Sequence, residues 1–183
     1  MDKKIDKIFK KAHKIVEERN KVNQEVKNLA LEAIKYKNAK MICIIGYNFS
    51  EDLDEKIIDK MASTLNEIGE AKYIHRFATQ VENAPIYKLA KGIINTKNVE
   101  YITLFAQIKG APVEELADSV AKYGDAQAIY NFAMTVENVP KDKLTKVICK
   151  KGSKLDIEAY SYDVLHTSPE NIAGYREEEA ELE

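Results

Sequence analysis

Apolar residues recur along this chain at spacings of three and four, and Asn, Gly and Pro break the pattern at regular intervals. Three stretches show the plan most clearly: "AKYIHRFATQV" from Ala71, "VEYITLFAQI" from Val99 and "AQAIYNFAMTV" from Ala126. Their apolar positions fall at one, four, seven, eight and eleven, a single stripe along a helix. An earlier copy, "AKMICIIGYNF", places Ala39, Ile42, Ile45, Gly46 and Phe49 on the same stripe. A weaker last copy uses Ile157, Tyr160, Ser161 and Val164. Units therefore begin at Ala39, Ala71, Val99, Ala126 and Lys154, spaced by 32, 28, 27 and 28 residues. With β-branched alternation almost absent, the pattern predicts an all-α chain.

Each unit carries two sets of punctuation. Asn83, Gly110 and Asn138 stand where a left-handed C′ residue is expected to end the first helix. Pro85, Pro112 and Pro140 follow two residues later, suited to the first turn of a second helix. That helix carries Leu89 and Ile93, Leu116 and Val120, or Leu144 and Ile148. Gly69, Gly124 and Gly152 read as C′ glycines closing the unit. Glu70, Asn98, Asp125 and Ser153 come next at the N-cap, where Asn, Asp and Ser accept a first-turn N–H and Glu does so less well.

A two-helix hairpin of this length cannot bury its own apolar face, so the hairpins must share a core. The expected architecture is a right-handed α-solenoid of about four and a half helical hairpins with an N-terminal capping helix. It is read as one repeat domain over residues 1–175. Residues 1–38 form an atypical cap, units lie near 39–70, 71–98, 99–125 and 126–153, a partial unit covers 154–175, and 176–183 is an acidic tail. In the cap, residues 5, 8, 12, 15, 22, 26, 29 and 33 make a near-heptad seam interrupted by Arg19. One long helix or two helices bent near Asn20 both satisfy it. Phe77, Phe105 and Phe132 are expected in the core, with Ala78, Ala106 and Ala133 permitting close helix approach.

The repeated residues at 71–89, 99–116 and 126–144 resemble the helical-hairpin repeat class that includes tetratricopeptide and HEAT-type arrays. They are more similar still to short repeats of the form "AKYIxxFAxxVxNAPIxKL" in proteins of low-GC bacteria and their phages. The resemblance covers roughly residues 39–165 and implies a helical repeat fold that binds macromolecules. It brings no catalytic residues, and the tetratricopeptide Trp-Leu-Gly signature is missing.

Charge changes the picture more than composition does. Residues 1–40 hold 12 Lys/Arg against 6 Asp/Glu, whereas 41–183 hold 16 against 24, so a head of net +6 precedes a remainder of net −8. No apolar run approaches the roughly 18 residues of a membrane helix, and the charged start does not read as a signal peptide. Cys43 and Cys149, far apart on helical patterns, suggest a reducing, cytoplasmic setting rather than a disulfide.

Chemistry is sparse. His13, His75 and His166 lack a second ligand at metal spacing, and no phosphate loop or dinucleotide fingerprint occurs. The expected function is that of a non-enzymatic protein-binding scaffold or adaptor, with no cofactor, no metal and no membrane. Its candidate partner-binding residues are Tyr73, His75, Arg76, Tyr101, Leu104 and Tyr130, an aromatic and mixed edge beside the core stripe of the first helices. One alternative is a phage- or mobile-element-type inhibitor whose acidic remainder docks on a bacterial enzyme or a nucleic-acid complex such as a CRISPR defence complex. A second is a nucleic-acid-binding helical array, with Lys3, Lys4, Lys7, Lys10, Lys11 and Lys14 contacting phosphates. Only three Arg and an acidic remainder count against that last reading.

Overall fold

A computed structural model describes the backbone of residues 3–172 and the side chains of residues 11–172. The acidic tail lies outside the described residues. Among the described residues the regular structure is entirely helical. The helices are α1 (Lys3–Lys35), α2 (Ala39–Phe49), α3 (Glu55–Ile68), α4 (Ala71–Gln80), α5 (Ile86–Thr96), α6 (Val99–Ala106), α7 (Val113–Tyr123), α8 (Ala126–Thr135), α9 (Lys141–Lys151) and α10 (Lys154–Tyr160). Short 3₁₀ turns occupy Ser50–Asp52 and Pro169–Asn171, and a π turn covers Ser161–Leu165. The helices α2, α4, α6, α8 and α10 begin at the five residues the repeat predicts. Contacts divide the chain into two compact units, Met1–Pro85 and Ile86–Glu183.

In the first unit, α2 packs on α1 and α4. Ile42, Met61, Ile74 and Phe77 are fully enclosed. Gly46 is the close point: a Cβ there would lie 2.8 Å from the Phe77 ring and 2.9 Å from a Val81 methyl. Phe49 departs from the expected stripe and is exposed. The helix ends at Phe49 and the chain tightens into a 3₁₀ turn, which rotates position eleven off the apolar face; Leu53 is buried just beyond.

In the second unit, Phe105 and Phe132 are fully buried on α6 and α8, which pack against each other and against α7. The last copy is a full member of the pattern despite its weak sequence signal. Ile157, Tyr160, Ser161 and Val164 are all buried, with Tyr160–Ser161 in the place of Phe–Ala. Ser161 hides its hydroxyl by donating to the Ile157 carbonyl at 2.7 Å. Lys151 on α9 reaches the C-terminal end of α7, donating to the carbonyls of Ala121 at 2.7 Å and Gly124 at 2.9 Å. A cation placed there complements the negative end of the α7 dipole.

The joints differ in detail from their sequence reading. Asn83, Gly110 and Asn138 are left-handed, with φ of 57°, 83° and 56°. They are not C′ residues, however. The first helices stop earlier, at Gln80, Ala106 and Thr135, and the left-handed residue sits inside the following turn. Pro112 and Pro140 occupy the N-cap instead of the first helical position. Their φ/ψ values are −77°/80° and −74°/78°. The N–H of the next residue bonds back across each proline at 2.9 Å, Val113 to Ala111 and Lys141 to Val139. Each proline therefore centres an inverse γ-turn, for which its ring fixes a suitable φ.

Of the three predicted C′ glycines only Gly69 is left-handed, at φ 74°. Gly124 and Gly152 are extended. Glycine is needed there for proximity rather than handedness: a Cβ would lie 2.7 Å from the Val120 or the Ile148 carbonyl oxygen. At the matching joints Lys37 and Lys97 carry the left-handed conformation, without glycine.

The N-caps follow their chemistry. Asn98, Asp125 and Ser153 each accept from a first-turn backbone N–H, and Ser153 forms a reciprocal capping box with Asp156. Asn38 and Asp54 cap α2 and α3 in the same way. Glu70 makes no side-chain cap bond. Replacing Glu70 with Asp or Ser is expected to stabilise the protein by about 0.5–1 kcal/mol. A urea midpoint that moves upward with unchanged slope is the confirming measurement.

One continuous helix, Lys3–Lys35, runs through Asn20 in the cap region. Its two halves have different surroundings. Val26, Ala30, Ala33 and Ile34 are buried, while every described residue from 11 to 22 is exposed.

Candidate partner-binding surfaces

Tyr73, His75 and Arg76 lie on α4 in the first unit, and all three are half-buried. The backbone carbonyl of Tyr73 accepts from the Cys43 thiol at 3.4 Å. Arg76 Nε donates to Gln80 Oε1 at 2.8 Å, one turn along the helix. Cys43 occupies the repeat position of His75 yet is only 1% exposed. That position is therefore not a uniform surface site across the copies.

Burial pushes the Cys43 thiol up from 9.0 to about 11, partly offset by the nearby Arg76 charge. A thiol in that state is not a nucleophile at neutral pH. The same burial gives an alkaline signature. The unfolded thiol ionises near 9.0 while the folded one resists until about 11, so the unfolded state binds fewer protons across that window. Stability should then fall as pH rises from about 9 to about 11. The Cys43→Ala variant should show a shallower decline over this interval in urea titrations at fixed pH.

In the second unit, Tyr101 and Leu104 lie on α6 and Tyr130 on α8. Tyr101 and Tyr130 are half-buried, and Leu104 is 38% exposed. The Tyr130 hydroxyl donates to Asp163 Oδ2 at 2.8 Å, which ties α8 to the π turn and raises the phenol's pKa through that bond. Tyr130 thus has a structural partner inside the chain. Leu104 is placed differently. It lines a shallow groove of about 480 Å³ between α6 and α8, together with Val99, Thr103 and Ala128. Glu100, Gln107 and Asn131 add polar groups to the same groove. Asn131 is held by Gln127, whose Nε2 donates to it at 3.0 Å.

Of the six candidate partner-binding residues, Leu104 lines this groove. The sequence reading missed Gln107, Gln127 and Asn131, which have no signature beyond ordinary helix-surface polarity. Tyr101 and Tyr130 do not line the groove. Among the basic-head residues, Lys11 and Lys14 are exposed, and Lys14 approaches Glu18 at 3.9 Å. The side chains of Lys3, Lys4, Lys7 and Lys10 lie outside the described residues.

Among the described residues no cluster of His, Cys, Asp and Glu is arranged to hold a metal ion. No described helix is long and apolar enough to cross a membrane. No family model, no curated protein and no solved structure matches the chain. The resemblance to short helical-hairpin repeats therefore rests on the repeated residues themselves.

Proposed function

We propose that the chain is a non-enzymatic protein-binding helical-repeat protein, an adaptor or scaffold of the α-solenoid kind. The observation that carries this reading is the groove between α6 and α8, where exposed Leu104 is set among polar side chains that vary from copy to copy. The repeat holds the core and joints constant and leaves the outward positions of the first helices free to differ. An apolar anchor with a polar surround is the usual make-up of a contact patch. Two tyrosines, Tyr73 on α4 in the first unit and Tyr101 on α6 in the second, contribute half-buried aromatic surface to their own helices.

The test is quantitative partner capture with the intact chain and with Leu104→Asp. Partner binding through the groove should weaken at least tenfold, a loss of about 1.4 kcal/mol. Far-UV circular dichroism should match the parent. A folded Leu104→Asp chain that keeps every partner at parental affinity would falsify the groove as the contact site.

The net charge of −8 over residues 41–183 favours one particular kind of partner, a protein with a basic groove. Docking as an inhibitor on a bacterial enzyme or nucleic-acid complex falls within that description. Steep weakening of capture with added salt is its expected signature.

A further inference from the structure

The groove between α6 and α8 has a repeat equivalent of opposite chemistry in the first unit. There α2 packs directly on α4, as α6 does on α8. Counted from the first residue of each helix, Leu104 corresponds to Ile44, Gln107 to Tyr47 and Glu100 to Lys40. Across the groove, Asn131 corresponds to Arg76, Gln127 to Lys72, Ala128 to Tyr73 and Asp125 to Glu70. The α6–α8 groove is lined by two carboxylates, Glu100 and Asp125, and by no cation. The same positions around α2 and α4 carry three cations against the single carboxylate of Glu70.

Side-chain geometry supports the correspondence. The Cys43 thiol, one position before Ile44, donates to the Tyr73 carbonyl at 3.4 Å, and Arg76 is near enough for its charge to act on that thiol. Tyr73 and Arg76 therefore lie against the turn of α2 that carries Ile44. Ile44 and Tyr47 are 37% and 55% exposed, and Met41, one turn earlier, is exposed as well. Lys40 and Lys72 are exposed, with Lys72 Nζ 6.0 Å from the centre of the Tyr73 ring. Among the described residues none of Lys40, Lys72 and Arg76 is paired with a carboxylate. Large apolar residues on successive turns, beside spare cations, exceed the scattered exposure that is normal for a surface.

We propose that this face of α2 and α4 is a second docking surface, and that its partner is an acidic amphipathic helix of another protein. Charge selects the sign, since the cations here have no carboxylate of their own to satisfy them. Backbone chemistry selects the helix. An extended segment adds to a sheet edge, whereas the described residues of this unit present helices only. A helix brings its own backbone bonds and needs a partner only for its side chains. Apolar residues at spacings of three and four cover Ile44, Tyr47 and Tyr73, and carboxylates on the flanks meet Lys40, Lys72 and Arg76. With its Nε already donating to Gln80, Arg76 keeps its two Nη groups for a carboxylate.

The experiment is fluorescence anisotropy of the full chain with a labelled synthetic peptide of about 15 residues, Leu at helical spacings of three and four and Glu elsewhere. The expected Kd is about 1–100 µM, and the helix content of the peptide should rise on binding. The same peptide with Lys for every Glu should bind about tenfold more weakly or worse. Ile44→Asp, and separately Lys40→Glu/Lys72→Glu, should each weaken the acidic peptide by about tenfold or more while retaining the parental far-UV spectrum. Leu155→Asp makes the same charge change as Ile44→Asp at the exposed start of α10 and should leave the affinity unchanged. Absence of binding at about 1 mM chain overturns the proposal. Equal affinity for the lysine peptide does so too, as does an affinity indifferent to both the Ile44 and the lysine variants, which would place the peptide on the basic head. An oligonucleotide of about 15 bases that binds as tightly as the acidic peptide would assign the cations to phosphate instead. Binding that appears only once residues 173–183 are removed would assign the surface to the acidic end of the chain itself, and each of these two results overturns the proposal.

Discussion

Truncating Phe132 to alanine should cost about 3–5 kcal/mol, the range for removing a fully buried aromatic side chain. Phe132 has no exposed surface, and neither do Ile129 on the same helix and Phe105 on α6. Its removal takes away apolar transfer energy and leaves a hole that Ala133 and Leu116 are poorly placed to fill, since helices held by short joints collapse only partly. Typical domains are stable by about 5–15 kcal/mol, so the variant should sit close to its unfolding threshold at room temperature. Met134 provides the internal control. It is two residues away and 49% exposed, and Met134→Ala should change stability by no more than about 0.5 kcal/mol. Urea unfolding of the two variants beside the parent decides the matter. Similar midpoints for Phe132→Ala and the parent would remove this core from the account.

The second large effect belongs to Gly46. Glycine inside a helix ordinarily costs about 1 kcal/mol relative to alanine, yet here it lies at the meeting of α2 and α4. A Cβ would approach the Phe77 ring to 2.8 Å and Val81 to 2.9 Å. Valine adds that Cβ and two further methyls. Overpacking of this kind costs about 1–3 kcal/mol, sometimes more, and Gly46→Val should reach the top of the range. The cause is specific, so it can be relieved. In Gly46→Val/Phe77→Leu the smaller side chain vacates the clashing ring edge. The double variant should therefore be more stable than the sum of the two single changes allows, by about 0.5–3 kcal/mol. Strict additivity in a double-mutant cycle would show that the cost at position 46 arises elsewhere.

These two sites also show what the sequence made legible. The period set Phe77, Phe105 and Phe132 in the core and placed the starts of α2, α4, α6, α8 and α10, because a recurring stripe is a statement about which face is buried. Gly46 was readable as the small partner of that stripe, since it replaces the alanine of later copies. The joints were less legible. Asn, Gly and Pro announce a turn but not where the preceding helix gives up its last hydrogen bond, so Pro112 and Pro140 fell at the N-cap and Asn83 and Asn138 beyond the helix end. Gly124 and Gly152 look identical to Gly69 in sequence. They serve a different need, because the approach of the Val120 and Ile148 carbonyls is a property of packing. Lys37 and Lys97 adopt a left-handed backbone that no lysine advertises. For the candidate groove, Leu104 was visible as an apolar residue beside the core stripe, whereas Gln107 and Asn131 became neighbours only through the juxtaposition of α6 and α8.

The exposed stretch of α1 at residues 11–22 has a consequence on the time axis. The stretch 11–22 has no packing partner among the described residues, so its own hydrogen bonds chiefly hold it, and isolated helices of this length are marginal in water. Its amide protons should exchange with deuterated solvent by local fraying, whereas those of α5 and α7 must await larger openings. Within one continuous helix, protection should therefore step upward between Val22 and Val26, where burial begins. The step divides α1 into a segment whose lifetime is set locally and one whose lifetime is that of the fold.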